Sequence, residues 1–203
     1  MREQAENTAR QERAIKRFLR DFLDKPKDGQ SFDPILARVG RYYDADRTCI
    51  FELSAERTHV RSTHAWHREG IPEQGDSLQE IDPEAFLGWA QARGEDGELY
   101  LSAQSAQQDP ETARFLRARG LEGMMLAPMV GEGAVVGFLG VDNPRKNTED
   151  LLLLSVVASA CYSEIVTRRT MEARMETTSQ PSWTGRGSSA PSAKSTRPST
   201  TST

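Results

Sequence analysis

The sequence predicts an α+β fold built on a mainly antiparallel sheet of five or six strands. Short runs that alternate apolar and polar residues, or that are apolar throughout, lie between turn residues and indicate strands. Most neighbouring strands are separated by connections of hairpin length, which favours antiparallel pairing. Stretches with helical spacing of apolar residues precede, separate and follow the strands, so helices are expected to cover the sheet.

Two helices are predicted before the first strand. Apolar residues recur at intervals of three and four over residues 3–23, which indicates an amphipathic helix. A second helix is predicted over residues 34–43, where Asp33 is placed to act as N-cap and Pro34 suits the first helical position. Each helix therefore has one apolar face that must be buried.

Five strands are predicted after these helices. Residues 47–53 alternate apolar and polar side chains, and residues 58–66, rich in Thr, Val and His, are the expected hairpin partner. A short strand is predicted over residues 98–102. Residues 124–130 and 134–142 are separated by Gly-Glu-Gly, which predicts a tight hairpin.

Further helices are predicted between and after the strands. Residues 68–82 are expected to form a loop, and short helices are predicted over residues 83–92 and 110–119. The last helix is predicted from about residue 147 to about residue 176, with Asp150 placed to complete its N-terminal cap. The chain is therefore predicted to begin and end with helices.

Composition separates a folded part from a polar tail. Of the 27 residues from 177 to 203, 15 are Ser or Thr, and none is acidic or an aliphatic residue larger than Ala. Such a segment buries too little apolar surface to offset its ordering entropy, so it is predicted to be disordered. The predicted organisation is an N-terminal helix with linker, a folded domain, the end of the last helix and the disordered tail, at 1–30, 31–168, 169–176 and 177–203.

Charge and hydropathy argue against two classes of function, nucleic-acid binding and membrane insertion. The net charge is −4 and the tail contributes +3, so residues 1–176 carry −7. The sequence shows no basic patch interleaved with aromatic residues, and with this acidity that argues against nucleic-acid binding. No apolar run reaches about 18 residues and the N-terminus has no signal-peptide pattern, so no membrane span is expected. Cys49 and Cys161 are expected to be buried, reduced thiols of a cytoplasmic protein.

The apolar run from Ala134 to Val141 stops abruptly at Asp142-Asn143-Pro144. Pro144 has no amide hydrogen for a sheet ladder and disfavours helix at the preceding residue, so the strand must end there. Gly137 and Gly140 have no side chains, so another group can come close to one face of this strand. They predict a strand that lines a cavity or closely contacts a helix.

Four stretches of the chain resemble GAF sensor domains. They are LARVGRYYDADRTCIFEL at 36–53, the segment 63–72 with its EGIP ending, the segment 119–128, and GFLGVDNPR at 137–145. The similarity spans about 33–168 and is greatest to GAF domains attached to bacterial GGDEF and EAL proteins and to sensor kinases. It implies a central antiparallel sheet with terminal helices on one face and a ligand cavity on the other.

The resemblance implies a regulatory module without catalytic residues. It would bind a small ligand or act as a dimerising scaffold, and pass a change through its last helix to an output domain. The expected output is a GGDEF-type diguanylate cyclase, and the tail is either native or an out-of-frame reading of such a domain. No cofactor is identified. Aromatic and polar residues are expected around the cavity, with core packing as the alternative for the aromatic ones: Trp66, Phe86, Trp89, Tyr100, Phe138, Glu69, Asp142 and Arg145.

Metal and redox chemistry are the alternatives that the residues leave open. His64 and His67, with Glu69 nearby, have the wrong spacing for one metal ion because a strand places the two histidines on opposite faces. GAF-like methionine-sulfoxide reductases use cysteines, so Cys49 and Cys161 are a possible redox pair, although their apolar surroundings favour core packing. No metal ligand is predicted.

Two further ligand classes are weighed from the resemblance. A thioether-linked bilin needs a cysteine in the pocket loops, and no cysteine lies between residues 50 and 160. The signature of cyclic-nucleotide GAF domains follows the last strand. Here Pro144-Arg145 separates Asn143 from Lys146 and the expected Phe is missing, so cyclic-nucleotide binding is not favoured.

The last helix also carries a pattern typical of helix association. Its apolar residues keep the a and d spacing of a coiled coil over about two heptads: Leu151, Leu154, Ala158, Cys161 and Ile165. Together with the first helix this stripe predicts a parallel homodimer. The alternative is that both terminal helices dock on their own sheet.

Overall fold

The computed structural model describes residues 2–23, 32–54, 56–72, 88, 97 and 99–179. The chain divides into two compact units, Met1–Arg168 and Arg169–Thr203. The sheet, the helices packed on it (the last one up to Arg168) and the polar residues at its end lie in the first unit. The predicted helix over residues 83–92, most of the loop over 68–82 and most of the tail over 177–203 lie outside the described residues.

Five helices and five strands are formed by the described residues: α1 (Arg2–Leu23), α2 (Asp33–Tyr43), β1 (Arg47–Leu53), β2 (Val60–His67), β3 (Leu99–Ser102), α3 (Ala103–Gln108), α4 (Pro110–Ala118), β4 (Gly123–Gly131), β5 (Ala134–Asp142) and α5 (Leu151–Ser179). The strands make one sheet in the order β2-β1-β5-β4-β3, and every neighbouring pair is antiparallel. The predicted α+β class and the antiparallel sheet are therefore confirmed.

Tight turns explain two of the strand pairs, β4 with β5 and β1 with β2. Glu132 and Gly133 join β4 to β5 with φ values of 52° and 77°, and two successive positive φ values suit the right-handed twist of a hairpin. Arg57 has a φ of 57° in the turn between β1 and β2. The hairpins predicted from the sequence thus form with the turn geometry that their connections require.

One face of the sheet, called the helix face below, packs against α1, α2 and α5. Its core is formed by apolar side chains of all three helices and of the central strands, among them Leu36, Val39, Ile50, Leu139, Val141, Leu153, Leu154, Ala158 and Cys161. Burying a Leu or Ile side chain contributes about 1.5–3 kcal/mol, so this layer is a major source of stability. This packing buries four residues of the predicted coiled-coil stripe, so they are not available to a partner: Leu154, Ala158, Cys161 and Ile165.

The other face, called the open face below, packs against α3 and α4. Cys49, Phe51, Met124 and Phe138 form its centre, and Leu116 of α4 covers them. This is the face on which the resemblance places a ligand cavity. Both faces of the sheet are thus apolar, and polar groups are confined to its edges and ends.

Two predicted caps differ from the structure in instructive ways. Asp33 is not the N-cap of α2, because the preceding Phe32 already has helical dihedral angles and its carbonyl accepts hydrogen bonds from Ile35 and Leu36. The Phe32 ring is fully buried, which fixes the start of the helix without a side-chain cap. The last helix begins at Leu151 rather than near 147, and Asp150 accepts a hydrogen bond from the Leu153 amide.

The helix α3 is absent from the sequence prediction. Its sequence AQSAQQ has no apolar periodicity, so the usual signal is missing. Ser102 and Ser105 form a reciprocal capping box at its N-terminus. That pair of serines starts the helix locally, as capping boxes do.

The apolar character of α5 raises the question of a membrane span. By length and composition Leu151–Met171 could cross a bilayer, with a mean hydropathy of 1.4. A core helix of a globular domain passes the same test, and Leu153, Leu154 and Ala158 are fully buried against the sheet. About a third of this segment, 33 %, is buried, so packing within the domain accounts for part of its apolar character.

We expect Gly137→Ala to destabilise the domain by about 1–3 kcal/mol. A Cβ atom at Gly137 would overlap the backbone carbonyl oxygen of Phe51, which is held in the β1–β5 ladder and cannot move aside. Urea denaturation measures the change. The matched variant Gly140→Ala should cost less, because its Cβ would meet the Phe51 ring at 2.7 Å and the end of Met124 at 2.9 Å, which can shift. An equal or larger loss for Gly140→Ala would contradict this view of the packing.

Candidate functional site

Charged side chains gather where β1 begins and β5 ends. We call this group the sheet-end cluster, and it consists of Asp44, Asp46, Arg47, Arg68, Arg119, Asp142, Asn143, Arg145 and Lys146. Because β1 and β5 are antiparallel neighbours, the residue before one strand faces the residue after the other. The topology therefore assembles this cluster from segments that are about a hundred residues apart.

Asn143 connects the two strand ends. Its side-chain Oδ1 accepts hydrogen bonds from the amides of Glu122 at 2.8 Å and Gly123 at 3.3 Å, and its Nδ2 donates to Asp46 Oδ2 at 2.8 Å. The φ of Asn143 is 50°, in the left-handed region that Asn tolerates better than most residues. The residue thus turns the chain and satisfies the backbone at the start of β4.

Arg145 completes the contacts of Asp46. Its Nη1 lies 2.7 Å from Asp46 Oδ1, and it also donates to the carbonyl oxygen of Asp44 at 3.0 Å. Burial opposes ionisation of Asp46, but the interactions with Arg145 and Asn143 outweigh it and lower the Asp46 pKa. The same pair raises the pKa of Arg145. This part of the cluster is ionised, and Asp46 Oδ1 is held by the ion pair with Arg145 without a well-aligned hydrogen bond among the described residues.

A second ion pair fixes the loop that leaves β2. Arg68 donates to the Asp44 carboxylate and, through Nε, to the Ala45 carbonyl at 3.1 Å. The hydrogen bond from Arg68 lowers the pKa of Asp44. Lys146 lies 3.5 Å from the other Asp44 oxygen. These contacts are partly exposed, so each contributes little to stability, but together they position the end of β2.

Asp142 is the unusual member of the cluster. It is 3 % exposed at the end of β5, and burial raises its pKa to about 6 despite the Arg47 guanidinium 3.7 Å away and the nearby charge of Arg119. Arg47 Nη2 donates to the Pro72 carbonyl at 3.1 Å, while its Nε is buried and lacks a hydrogen-bond partner within the described part of the chain. Burial likewise lowers the pKa of Arg119.

This arrangement can perform two kinds of chemistry. Arg47 Nε has no hydrogen-bond partner among the described residues, so the site keeps a donor for an acceptor group of a ligand beside Asp142. A carboxyl group with a pKa near 6 also changes charge close to neutral pH. Perturbed ionisable groups of this kind mark functional sites, although structural ion pairs produce them too.

The structure divides the predicted site residues between the two faces of the sheet. Phe138 and Asp142 belong to the open face. Trp66 packs on the helix face, where its ring fills the space above Gly40 of α2, and Tyr100 also contacts the helix-face core. Trp66 and Tyr100 are therefore not brought together with Phe138.

The remaining predicted residues lie at the margins. Arg145 is part of the sheet-end cluster, whereas Glu69 is exposed in the turn after β2. Phe86 and Trp89 fall outside the described residues. Arg47 and Arg119 are the functional candidates that the sequence prediction lacks. The available signal was a charged residue at the first position of a strand and another at the end of a helix, which is too common to identify a site.

The two cysteines are on opposite sides of the sheet. Cys49 is buried in the open face, and Cys161 is buried in α5 on the helix face. Burial raises the pKa of Cys49, which disfavours the reactive thiolate. With the sheet between them the two thiols cannot form a disulfide, and this geometry gives no support to a redox pair.

His64 packs edge-on against Phe32, with ring centroids 4.5 Å apart.

A second polar junction lies at the start of α5. Asp150 accepts hydrogen bonds from the Tyr42 hydroxyl and from Gln11 Nε2 at 2.6 Å, and its carbonyl accepts one from the Tyr43 hydroxyl at 2.6 Å. Burial, with the Asp150 hydrogen bond and charge, raises the pKa of Tyr42. Asn147 donates to the Tyr42 carbonyl at 2.8 Å. These contacts join α1, α2 and the start of α5.

Comparison with known families identifies the class. The GAF domain profile matches residues 29–165, which is more than half of the chain, and the fold has the sheet and helical layer described above. The chain belongs to the GAF domain family. These domains serve as sensory and regulatory modules of signalling proteins. A search of curated proteins finds no match.

Solved structures support the same fold. The chain is similar to the blue-light absorbing form of the PixJ GAF domain of Thermosynechococcus elongatus, with a TM-score of 0.54 and 18 % identity over 72 % of this chain and 89 % of that one. It resembles the chromophore-binding domain of an unusual bacteriophytochrome from R. palustris, with a TM-score of 0.62, 14 % identity and coverage of 81 % and 63 %. It also resembles the GAF domain of a putative sensor histidine kinase from Pseudomonas syringae pv. tomato, with a TM-score of 0.52, 16 % identity and coverage of 85 % and 97 %. At these identities the similarity establishes the fold alone.

We expect the stability of wild type relative to Asp142→Asn to fall as the pH rises from about 4 to about 6. The folded-state pKa of Asp142, about 6, lies above the unfolded value of about 3.9, so the folded state binds more protons in this window. The expected fall is on the order of 2 kcal/mol, measured by urea unfolding at a series of pH values.

Asp46→Asn is the control with the opposite sign. Because the pKa of Asp46 is lowered, its stabilisation is present above the unfolded pKa and is lost as the pH falls below about 4. A wild-type advantage over Asp142→Asn that grows from pH 4 to pH 6 would refute the assignment of a raised pKa to Asp142.

Proposed function

We propose that this GAF domain is the sensory module of a bacterial signalling protein and that it binds a small ligand over the open face of its sheet. The observation that carries the proposal is the buried Asp142, with Arg47 and Arg119 beside it, at the edge of an apolar face centred on Phe138. Ligand sites combine a mostly apolar surface with a few precisely placed polar groups. The ligand itself is not identified by these groups.

The path from this site to an output is short. Asp142 ends β5, and the next residues make the hydrogen bonds that lead to α5. The amides of Arg145 and Lys146 donate to the Tyr43 carbonyl at 2.9 and 3.0 Å. A ligand that changes the position or charge of Asp142 therefore acts on the segment that precedes the last helix. Such a ligand shifts the equilibrium between two helix arrangements if it binds one of them more tightly.

The resemblance to GAF domains of GGDEF and EAL proteins suggests a diguanylate-cyclase type of output, and a cytoplasmic location follows from that context. Bilin chromophores are bound by a relative of known structure, a phytochrome GAF domain with phycocyanobilin. A thioether-linked bilin is not proposed for this chain, because its two cysteines, Cys49 and Cys161, are both buried. The ligand is thus expected to be held without a covalent bond.

Dimerisation through the terminal helices is part of the proposal. The stripe from Leu154 to Ile165 is buried in the protomer, so a partner would contact the outward side of α5. Leu152 is 51 % exposed on that side. Ser159 and Ser163 on the same helix donate to carbonyls one turn earlier, at 3.1 Å each, so their hydroxyl hydrogens are satisfied within the helix.

A thermal-shift screen of small metabolites and nucleotides tests ligand binding. We expect at least one compound to raise the melting temperature of wild type, and Arg119→Gln to reduce its affinity about tenfold or more, because a charge-assisted hydrogen bond to the ligand is lost. Arg117→Gln is the matched control, since Arg117 is exposed on α4 and should leave binding unchanged. Equal effects of both variants, or no hit that depends on Arg119, would refute a site beside Asp142.

Light scattering coupled to size exclusion tests the dimer. At tens of micromolar we expect wild type to elute as a dimer and Leu152→Glu to elute as a monomer, because a charge would be placed in the interface. Val130→Glu is the control, being 45 % exposed on β4 rather than on a terminal helix. A monomeric wild type, or dissociation by Val130→Glu alone, would contradict dimerisation through α5.

A further inference from the structure

Four arginines converge on a groove between α1 and α2. Arg13 and Arg17 are one turn apart on α1, and Arg38 and Arg41 are one turn apart on α2, so each pair lies on one side of its helix. The two sides face one another across a groove of about 680 Å³, whose apolar lining includes Phe18 and Tyr42. The sequence predicts no basic patch interleaved with aromatic residues, whereas the fold assembles one from two separate helices.

Three of the four charges in this groove are poorly compensated by the described residues. Arg13, Arg17 and Arg41 make no ion pair with an acidic residue within the part of the chain that the structure describes. Burial lowers the pKa of Arg38, and the charges of Arg17 and Arg41 lower it further. Like charges at these spacings destabilise helices, so the groove carries an electrostatic cost that a bound anion would relieve.

The aromatic residues give the groove a defined wall. The Phe18 ring is buried and meets Tyr42 edge to face, with centroids 6.1 Å apart. The Arg38 guanidinium lies over the Phe18 ring at 5.4 Å, which holds it in place at the groove wall. A fixed planar guanidinium is the preferred partner of phosphate, which it binds through two parallel hydrogen bonds.

We propose that this groove binds a small phosphorylated ligand with at least two negative charges, such as a nucleoside diphosphate. Its volume is in the range of small-molecule sites, its four cations match a diphosphate group, and its apolar wall can contact an organic portion. The groove is on the helix side of the sheet, so it is separate from the site proposed beside Asp142. Tyr42 lines the groove and also bonds Asp150 at the start of α5, so an occupant would lie one side chain from the output helix.

Calorimetric titration of the full chain with ADP and with inorganic pyrophosphate tests the proposal. Both probes should bind in one saturable step, and affinity should fall as ionic strength increases. Arg17→Gln and Arg41→Gln should each weaken binding about tenfold or more, because each removes a charge-assisted contact. Arg114→Gln makes the same charge change on the exposed side of α4 and should alter affinity less than about twofold.

Folding is checked independently of binding. Arg17 and Arg41 are exposed and Gln is a good helix former, so both variants should retain the far-UV circular dichroism and the melting temperature of wild type. Arg17→Lys should restore part of the affinity lost in Arg17→Gln. The proposal is overturned if neither probe binds below about 1 mM, if Arg114→Gln weakens binding as much as the groove variants, or if the chain binds anionic lipid vesicles but neither probe.

Discussion

The hydrogen bond from Asn143 to Asp46 is the contact on which the placement of the last helix depends. It joins the end of β5 to the start of β1, and it fixes Asn143 in a left-handed conformation that turns the chain away from the sheet. The residues that follow are then close enough to α2 to bond it, first through the amides of Arg145 and Lys146 to Tyr43. Loss of the Asn143 side chain would leave the buried Asp46 carboxylate and the amides at the start of β4 without these partners, a cost of several kilocalories per mole.

The segment between β5 and α5 is thereby hydrogen-bonded to the C-terminal turn of α2. Tyr42 and Tyr43 together bond Asn147 and Asp150, so the C-terminal turn of α2 holds the start of α5, in addition to the packing of Leu153 and Leu154 on the sheet. Gln11 of α1 bonds the same Asp150 carboxylate. A change in any one of these three helices affects this junction. If the buried Asp150 carboxylate loses one hydrogen-bond donor, it must find another or the fold loses stability. This gives the helical layer a means of coupling that does not require the strands to move.

Much of the fold could be predicted because its signals are local. Strand ends, hairpin turns and amphipathic helices depend on residues a few positions apart, and these predictions agree with the structure. The face on which a strand residue lies is a longer-range property. Between Ile50 and Phe51 of β1 the pairing with β2 shifts by one residue, so that Val60 belongs to the open face whereas Trp66 belongs to the helix face. Simple alternation along β2 would place both on one side, so the sequence alone cannot assign Trp66 to its face. Of the sheet-end cluster the sequence predicts only Asp142 and Arg145 as site residues, because the other members join them only through the pairing of β1 with β5.

The same limit applies to the charge pattern. A net charge of −4 describes the chain as a whole, but electrostatic interactions between exposed groups act over about 10 Å at ordinary ionic strength. Within that distance the groove between α1 and α2 is strongly positive, whereas the sheet-end cluster sets three carboxylates against its five basic side chains. The two places therefore differ in what they can do. The sheet-end cluster, with its ionised pairs and one weak acid, responds to changes in its own protonation. The arginine groove has no comparable internal partner for Arg13, Arg17 and Arg41 in the described structure, so its charges are best satisfied by an anion from outside.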